Sequence, residues 1–232
     1  MKIAFLGDSI TEGKLGVSYF AKVQEAMVDD ELINLGKNGD TVHSLYTRIK
    51  HLDFEEYDIV FVLIGINDIF GKVNRAHRLV RVLQRQTPAK DLDTFLLNYK
   101  ELVDHLLKMN SNLVLISPLL LGEDIESAWN EQVREMEVEI ELLSRNYGLP
   151  YLDVQRQMYD YLEDKKQSNY LPLSIRQVSK DLLTLKTDEL IDKMSKEREL
   201  HFTLDGVHLN SKGAQYVADA IVELIKTKKE VK

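Results

Sequence analysis

Two short segments near opposite ends of the chain carry side chains suited to nucleophilic catalysis. Near the N-terminus, Ser9 ends a Gly-Asp-Ser tripeptide, and a serine hydroxyl becomes a nucleophile when a neighbouring base takes its proton. Near the C-terminus, Asp205 and His208 are separated by two residues, one of them glycine. This spacing lets the carboxylate orient one imidazole nitrogen while the other nitrogen acts as the base. Ser9, His208 and Asp205 are therefore candidate catalytic residues.

Two further segments supply candidate hydrogen-bond donors. Asn67 belongs to the tetrapeptide Gly-Ile-Asn-Asp, which directly follows the most apolar run of the chain. Gly39 lies in the glycine-containing segment 36–41. A glycine lets the backbone N–H approach a ligand closely, and a side-chain amide can stabilise the negative charge that develops on an ester oxygen. Each segment alone is typical of an ordinary turn. Their positions after predicted strands make them candidates for one site.

The elements that would position these residues alternate along the chain. Short apolar runs predict strands at 2–6, 32–35, 59–64, 113–116 and 151–154. Apolar residues at helical spacing predict helices at about 18–28, 92–109, 127–147 and 211–226. Such alternation predicts an α/β fold with a parallel sheet and helices on both faces. Ligands bind at the carboxyl ends of the strands in these sheets, so the four segments should converge there.

Two stretches are longer than this minimal fold requires. We predict one domain over residues 1–232 with helical insertions at about 71–90 and 155–200. Long insertions serve as lids, binding loops or subunit contacts. The alternative is a peripheral helical hairpin that packs on the body of the protein. If the second insertion is a subunit contact, the protein forms a homo-oligomer through residues 155–200.

Composition excludes several classes of protein. The chain has 232 residues, 44% of them hydrophobic, and no cysteine, so it has neither disulfides nor thiolate metal sites. A net charge of −8 argues against a general nucleic-acid binder. No segment is long and apolar enough to insert stably into a membrane. The apolar run at residues 3–6 is also too short for a signal peptide, so a cytoplasmic location is the default expectation.

Charge is unevenly distributed along the chain. Residues 72–90 contain six Lys or Arg and no acidic residue, whereas residues 123–141 contain eight acidic residues and one Arg. Solvated helix faces are the simpler interpretation of both stretches. The alternative is that the basic stretch, which includes Arg75, Arg78 and Arg81, attracts an anionic substrate or the acidic surface of a partner.

The four segments, in this order, resemble the signature blocks of the SGNH hydrolases, also called the GDSL lipase/esterase family. Gly-Asp-Ser, Gly-x-Asn-Asp and Asp-x-x-His match three blocks, with Ile10 where leucine is commoner, and the resemblance extends from residue 7 to residue 208. We choose Gly39 over Gly36 for the second block because it directly precedes Asp-Thr. The resemblance implies a three-layer α/β/α sandwich with five parallel strands in flavodoxin-like order.

The family also implies roles for these residues. Ser9 would be the nucleophile, His208 the base and Asp205 its orienting partner. The backbone N–H groups of Ser9 and Gly39 and the amide of Asn67 would form the oxyanion hole. The reaction would be hydrolysis of a small-molecule ester through an acyl-enzyme, with no metal and no organic cofactor. Family substrates include lysophospholipids, thioesters, short acyl esters and acetylated sugars.

Two other classes of function remain open from the sequence. One is a catalytically silent ligand-binding protein on the same fold. The other is a flavin- or nucleotide-binding protein, which needs a phosphate cradle after the first strand. The segment there carries Asp8 and Glu12, and their carboxylates would repel a phosphate.

Overall fold

A single parallel sheet forms the centre of the molecule. The computed structural model describes residues 1–73, 75–171 and 175–230. The strands are Lys2–Gly7 (β1), Glu31–Gly36 (β2), Ile59–Leu63 (β3), Leu113–Ile116 (β4) and Tyr151–Leu152 (β5). Their order is β2-β1-β3-β4-β5, and every neighbouring pair is parallel. This is the flavodoxin-like order, so the predicted fold is confirmed.

Helices flank this sheet. In the described part of the chain they are Ser9–Glu12 (α1), Tyr19–Ala26 (α2), Val42–Ile49 (α3), Ile66–Phe70 (α4), Arg75–Leu83 (α5), Leu92–Leu107 (α6), Ala128–Tyr147 (α7), Val154–Leu162 (α8), Ile175–Thr184 (α9), Asp188–Glu197 (α10) and Ser211–Glu230 (α11). The long helices α6, α7 and α11 lie where the hydrophobic periodicity predicts them. The short helices α1, α3 and α4 follow β1, β2 and β3 and lie outside the helix ranges that the periodicity predicts; α3 begins after Thr41, one of the two residues that could cap a helix there.

The central strands are buried on both faces, whereas the edge strands are not. Every residue of β3 is buried, as are all residues of β1 except the first. Phe5 of β1 lies between Phe61 of β3 and Phe20 of α2, with ring centroids 5.2 and 5.1 Å apart. Burial of each such ring contributes about 1.5–3 kcal/mol. This packing fixes the carboxyl ends of β1 and β3, from which Ser9 and Asn67 follow directly.

Strand β5 is shorter than predicted. It ends at Leu152 instead of continuing to Val154. The reason is local, because the carboxylate of Asp153 accepts a hydrogen bond from the N–H of Arg156 at 3.0 Å and starts helix α8. Val154 is therefore buried as the first residue of a helix.

The first insertion, 71–90, is attached to the loops that follow β2 and β3. The side-chain amide of Gln86 donates to the carbonyl of Asn38 at 2.7 Å. The N–H of Ala89 donates to the carboxylate of Asp68 at 2.8 Å. The segment therefore lies against the carboxyl edge of the sheet, where the candidate site is expected.

The second insertion, 155–200, is tied to the chain that leads into α11. Arg198 and Asp181 form a buried ion pair at 2.8 Å. The hydroxyl of Ser195 donates to the carbonyl of Thr203 at 2.7 Å and accepts from the amide of Asn210 at 2.9 Å. These contacts hold the insertion against the segment that carries Asp205 and His208. A subunit contact through this insertion stays a prediction.

Candidate active site

A tight turn after β1 presents Ser9. Asp8 is the N-cap of α1, and its carboxylate accepts a hydrogen bond from the N–H of Ile10 at 3.0 Å. Gly7 has no room for a side chain, because a Cβ there would lie 2.5 Å from the carbonyl oxygen of Leu63. The close approach of β1 and β3 at this point thus requires glycine. The turn places Ser9 at the carboxyl end of the sheet, as the fold rule predicts.

The segment before α11 presents Asp205 and His208. Gly206 has a φ of 85°, a left-handed conformation that glycine adopts without strain. This turn lets one oxygen of Asp205 accept from the N–H groups of Val207 and His208, at 3.0 and 2.8 Å. The other oxygen lies 2.9 Å from Nδ1 of His208. The carboxylate is thereby fixed relative to both the backbone and the ring.

The structure brings Ser9, His208 and Asp205 together. Nε2 of His208 lies 3.1 Å from Oγ of Ser9, although the two residues are 199 positions apart in the sequence. Because Nδ1 donates to Asp205, Nε2 can accept the serine proton. Asp205 is fully buried, whereas Ser9 and His208 are 7% and 6% exposed. The two reacting side chains therefore remain accessible, and the orienting carboxylate does not.

Burial and mutual pairing shift the pKa values of Asp205 and His208 in opposite directions. Burial tends to raise the pKa of Asp205, but the charge of His208 and hydrogen bonds from its ring and backbone outweigh it, so the pKa is lowered. Burial tends to lower the pKa of His208, but the charge of Asp205 and its hydrogen bond outweigh it, so the pKa is raised. The histidine is thus a stronger base than a free imidazole.

The N–H groups of Ser9 and Gly39 are the two backbone donors that the sequence predicts for the oxyanion hole. Gly39 lies in a turn with a φ of 80°, a left-handed conformation that glycine adopts without strain. In the described part of the chain, neither the N–H of Ser9 nor that of Gly39 donates to a protein acceptor. Free donors of this kind suit an oxyanion hole.

Asn67 is placed as predicted, but its amide is engaged. Its Nδ2 donates to the carbonyl of Asp40 at 3.0 Å and to the carboxylate of Asp8 at 3.2 Å. An oxyanion would therefore compete with Asp8 for one of these hydrogens. The longer of the two contacts is the easier to exchange.

Asp8 and Asp68 accept hydrogen bonds that anchor the loops of the site. Both are buried, and burial raises their pKa values, to about 7 for Asp8 and to about 6 for Asp68. Asp68 accepts from the N–H of Val42 at 3.0 Å and from that of Ala89 at 2.8 Å. It therefore joins α3 and the first insertion to the loop that follows β3.

Sequence reasoning missed Glu123. The acidic pattern of residues 123–141 predicts a solvated helix face, and this is wrong for Glu123, which is 0% exposed and precedes α7. Its carboxylate accepts from the N–H groups of His201, Phe202 and Thr203, at 2.6, 2.9 and 2.8 Å, and from the Thr203 hydroxyl at 2.7 Å. Its position after β4, beside Gly122, is the one sequence signal that could have identified it.

Two kinds of feature are absent from the described residues. No group of three or more His, Asp or Glu side chains there could hold a metal ion. No helix there has the length and apolar character needed to cross a membrane.

A family model matches most of the chain. Residues 5–216 match the GDSL-like lipase/acylhydrolase family. No curated protein sequence matches the chain significantly.

Solved structures match the fold over nearly its full length. An acetyl xylan esterase, AlAXEase, is 22% identical with a TM-score of 0.68, over 97% of this chain and 100% of that one. The acetylxylan esterase Axe2 from Geobacillus stearothermophilus is 17% identical with a TM-score of 0.66, over 96% and 92%. LAE5, an α/β hydrolase from the metagenome of Lake Arreo, Spain, is 21% identical with a TM-score of 0.64, over 96% and 93%.

Other structures of Axe2 carry catalytic substitutions at a serine, an aspartate and a histidine. These are the residue types that meet at the carboxyl edge of the present sheet. The match over residues 5–216 shows that this chain belongs to the GDSL-like lipase/acylhydrolase family and is a carboxylic ester hydrolase.

Proposed function

We propose that Ser9 is the nucleophile, His208 the general base and Asp205 the residue that orients it. The observation that carries this proposal is the pair of contacts that joins them, 3.1 Å from Oγ to Nε2 and 2.9 Å from Nδ1 to the carboxylate. Oγ bonds to the ester carbonyl carbon while its proton moves to Nε2. Asp205 stabilises the imidazolium that results.

The N–H groups of Ser9 and Gly39, with the amide of Asn67, receive the negative charge of the tetrahedral intermediate. Such a side-chain donor contributes about 3–4 kcal/mol in acyl-transfer sites. When the intermediate collapses, the bond to the alcohol oxygen breaks and the imidazolium protonates the departing alkoxide. Water then attacks the acyl-enzyme, with His208 again accepting a proton, and the acid is released as Ser9 regains its own. The proposal uses no metal and no organic cofactor.

Replacement of the nucleophile tests this assignment. We expect Ser9→Ala to remove hydrolysis of p-nitrophenyl acetate and labelling by a fluorophosphonate probe, because the proposed acyl-enzyme forms on the Ser9 hydroxyl. Ser111→Ala is a matched control, since Ser111 is exposed. Retained turnover in Ser9→Ala would assign the nucleophile elsewhere. A wild-type protein that does not react with the probe would favour the catalytically silent alternative.

We further propose that the acyl group is short and that acetyl esters on carbohydrate hydroxyls are the preferred class. The support is the similarity in fold to acetyl xylan esterases. Initial rates on p-nitrophenyl esters from acetate to decanoate test it, and we expect kcat/KM to fall as the acyl chain lengthens. A maximum at octanoate or beyond would point to lysophospholipid-like substrates instead.

A further inference from the structure

One arginine of the basic stretch reaches the glycine turn of the active site. A Cβ added at Gly39 would lie 1.7 Å from Nη1 of Arg81, so the guanidinium of Arg81 rests directly on this turn. Arg78, one turn earlier on α5, is exposed, and the side chain of Arg75 lies outside the described residues. The solvated-face interpretation therefore fits Arg78 and is wrong for Arg81.

The position of Arg81 is fixed by a buried neighbour. Nη1 donates to Oε1 of Gln86 at 3.3 Å, and Gln86 is only 4% exposed. Nε2 of Gln86 in turn donates to the carbonyl of Asn38 and to the carboxylate of Asp40. The guanidinium is thus held in place by the same loop that contributes Gly39.

The charge of Arg81 has no carboxylate partner within the described residues. Asp40, which lies nearby, is already paired with Arg48 at 2.8 Å. Asp8 is also near, but burial raises its pKa to about 7, so it is only partly ionised at neutral pH. A guanidinium has more N–H donors than the single acceptor of Gln86 can satisfy. Among the described residues, Arg81 therefore keeps both its charge and free donors.

The charge of Arg81 acts on groups of the candidate active site. Arg81 interacts electrostatically with Asp8 and with His208, and it covers the turn whose N–H we assign to the oxyanion hole. A half-buried, planar cation at this place suits a carboxylate, which it can bind through two parallel hydrogen bonds.

We propose that Arg81 forms an anion subsite, and that the protein prefers esters that carry a carboxylate close to the scissile bond. The inference rests on the proposed function, because it names the substrate class of the same site. The carboxylate can belong to the acyl part or to the alcohol part of the ester. The shared chemistry is a carboxylate held by a guanidinium.

Paired substrates test the subsite. On the acyl side, p-nitrophenyl monosuccinate is compared with p-nitrophenyl butyrate. On the alcohol side, 4-acetoxybenzoate is compared with 4-acetoxybenzamide. We expect Arg81→Met to lower the anionic-to-neutral ratio of kcat/KM in at least one pair by about tenfold to hundredfold, the range for a lost hydrogen bond to a charged group. Methionine keeps much of the aliphatic stem that packs near Gly71.

Two further variants separate the possible causes. Arg78→Met removes the same charge from an exposed position of the same helix, and it should leave both ratios within about twofold, since screening by solvent weakens surface charges. Arg81→Lys keeps the charge but loses the planar fork, and it should give an intermediate ratio.

The outcomes distinguish this inference from the proposed function. If no ester is hydrolysed by the wild-type protein, the proposed function fails. If esters are hydrolysed and Arg81→Met lowers both members of each pair equally, Arg81 acts on the site as a whole and the anion subsite is overturned. A ratio that falls equally in Arg78→Met would show a general charge effect, which also overturns it.

Discussion

The loop after β1 and the segment before α11 each place a buried aspartate at the active site, but the two carboxylates behave oppositely. Asp8 is 1% exposed and Asp205 is 0% exposed, so burial alone does not distinguish them. Asp8 accepts one backbone N–H and the long contact from Asn67, and burial dominates its raised pKa. Asp205 accepts two backbone N–H groups and the imidazole, and together these outweigh burial.

The difference shows what keeps a buried carboxylate ionised. Desolvation favours the neutral form, and only donors fixed in the right place reverse it. The segment with Asp205 supplies those donors through a turn and a histidine three residues later. The loop with Asp8 supplies fewer, so its carboxylate serves to hold the loop. Four substitutions test this contrast, one at each aspartate and one at a residue that contacts each region, Asn67 beside Asp8 and Glu123 beside the segment before α11.

The largest effect is expected from Asp205→Asn. The amide cannot hold the same imidazole tautomer or stabilise the imidazolium, so kcat should fall by about two to four orders of magnitude. The acidic limb of the pH–rate profile should move to lower pH, because the charge that raises the pKa of His208 is removed. Stopped-flow acylation across pH measures both. An unchanged acylation rate would assign the orienting role to another residue.

Asn67→Ala should come next. Loss of the oxyanion donor should lower kcat for p-nitrophenyl acetate by about two to three orders of magnitude while the fold stays intact by circular dichroism. The present hydrogen bonds of this amide, to Asp8 and Asp40, make the test informative. A near-normal kcat would mean that Asn67 only ties the two loops together and does not release a hydrogen to the oxyanion.

Glu123→Ala should have a smaller but specific effect. It leaves the N–H groups of residues 201–203 without their acceptor, which should lower stability by about 1–3 kcal/mol and kcat by about tenfold or more. Glu123→Gln keeps one carbonyl oxygen and should recover part of both. Glu126→Ala, at an exposed position of the same loop, is the control.

The pH profile decides whether Glu123 positions the catalytic segment. If it does, the acidic limb should shift in Glu123→Ala and return toward the wild-type position in Glu123→Gln. If Glu123→Ala is less stable but the acidic limb of its pH–rate profile is unchanged, Glu123 is a purely structural residue.

The smallest effect on activity is expected from Asp8→Asn, within about tenfold, because Asp8 contributes no reacting atom. Its effect on stability should depend on pH. The pKa of Asp8 rises from 3.8 in the unfolded chain to about 7 in the fold, so the wild-type protein loses stability as pH rises through this window.

The asparagine side chain of this variant cannot ionise, so the stability of Asp8→Asn relative to the wild type should increase between pH 4 and pH 8. The expected increase is on the order of 1–4 kcal/mol. Urea unfolding at the two pH values measures it. A difference that does not change with pH would show that Asp8 is ionised in the folded protein despite its burial.

Much of the site could be predicted because it follows from local sequence patterns and from one rule, that parallel strands of a sheet end at the same edge. The segments with Ser9 and Asn67 directly follow strands whose apolar sequence marks them as central. The short spacing of Asp205 and His208 is itself a geometric constraint. Since parallel strands end at one edge, residues 199 positions apart were expected to meet, and the 3.1 Å contact agrees with that expectation.

Other parts of the site depend on contacts that no local pattern encodes. Glu123 was counted among solvated charges, yet its hydrogen-bond partners lie 78–80 positions away. Arg81 belongs to a basic helix whose exposed and half-buried arginines look alike in sequence. The engagement of the Asn67 amide by Asp8 and Asp40 likewise requires three loops in their final positions.

The sequence by itself determined the α/β order of elements and the central strands, and it singled out Ser9, Asp205 and His208 as candidate catalytic residues. These depend on hydrophobic periodicity and on residues close together in the chain. Only the tertiary structure decided which charges are buried and what they contact. Burial and hydrogen bonding of a charged side chain depend on segments distant in sequence, and they set whether a carboxylate orients a histidine, anchors a loop or stays in solvent.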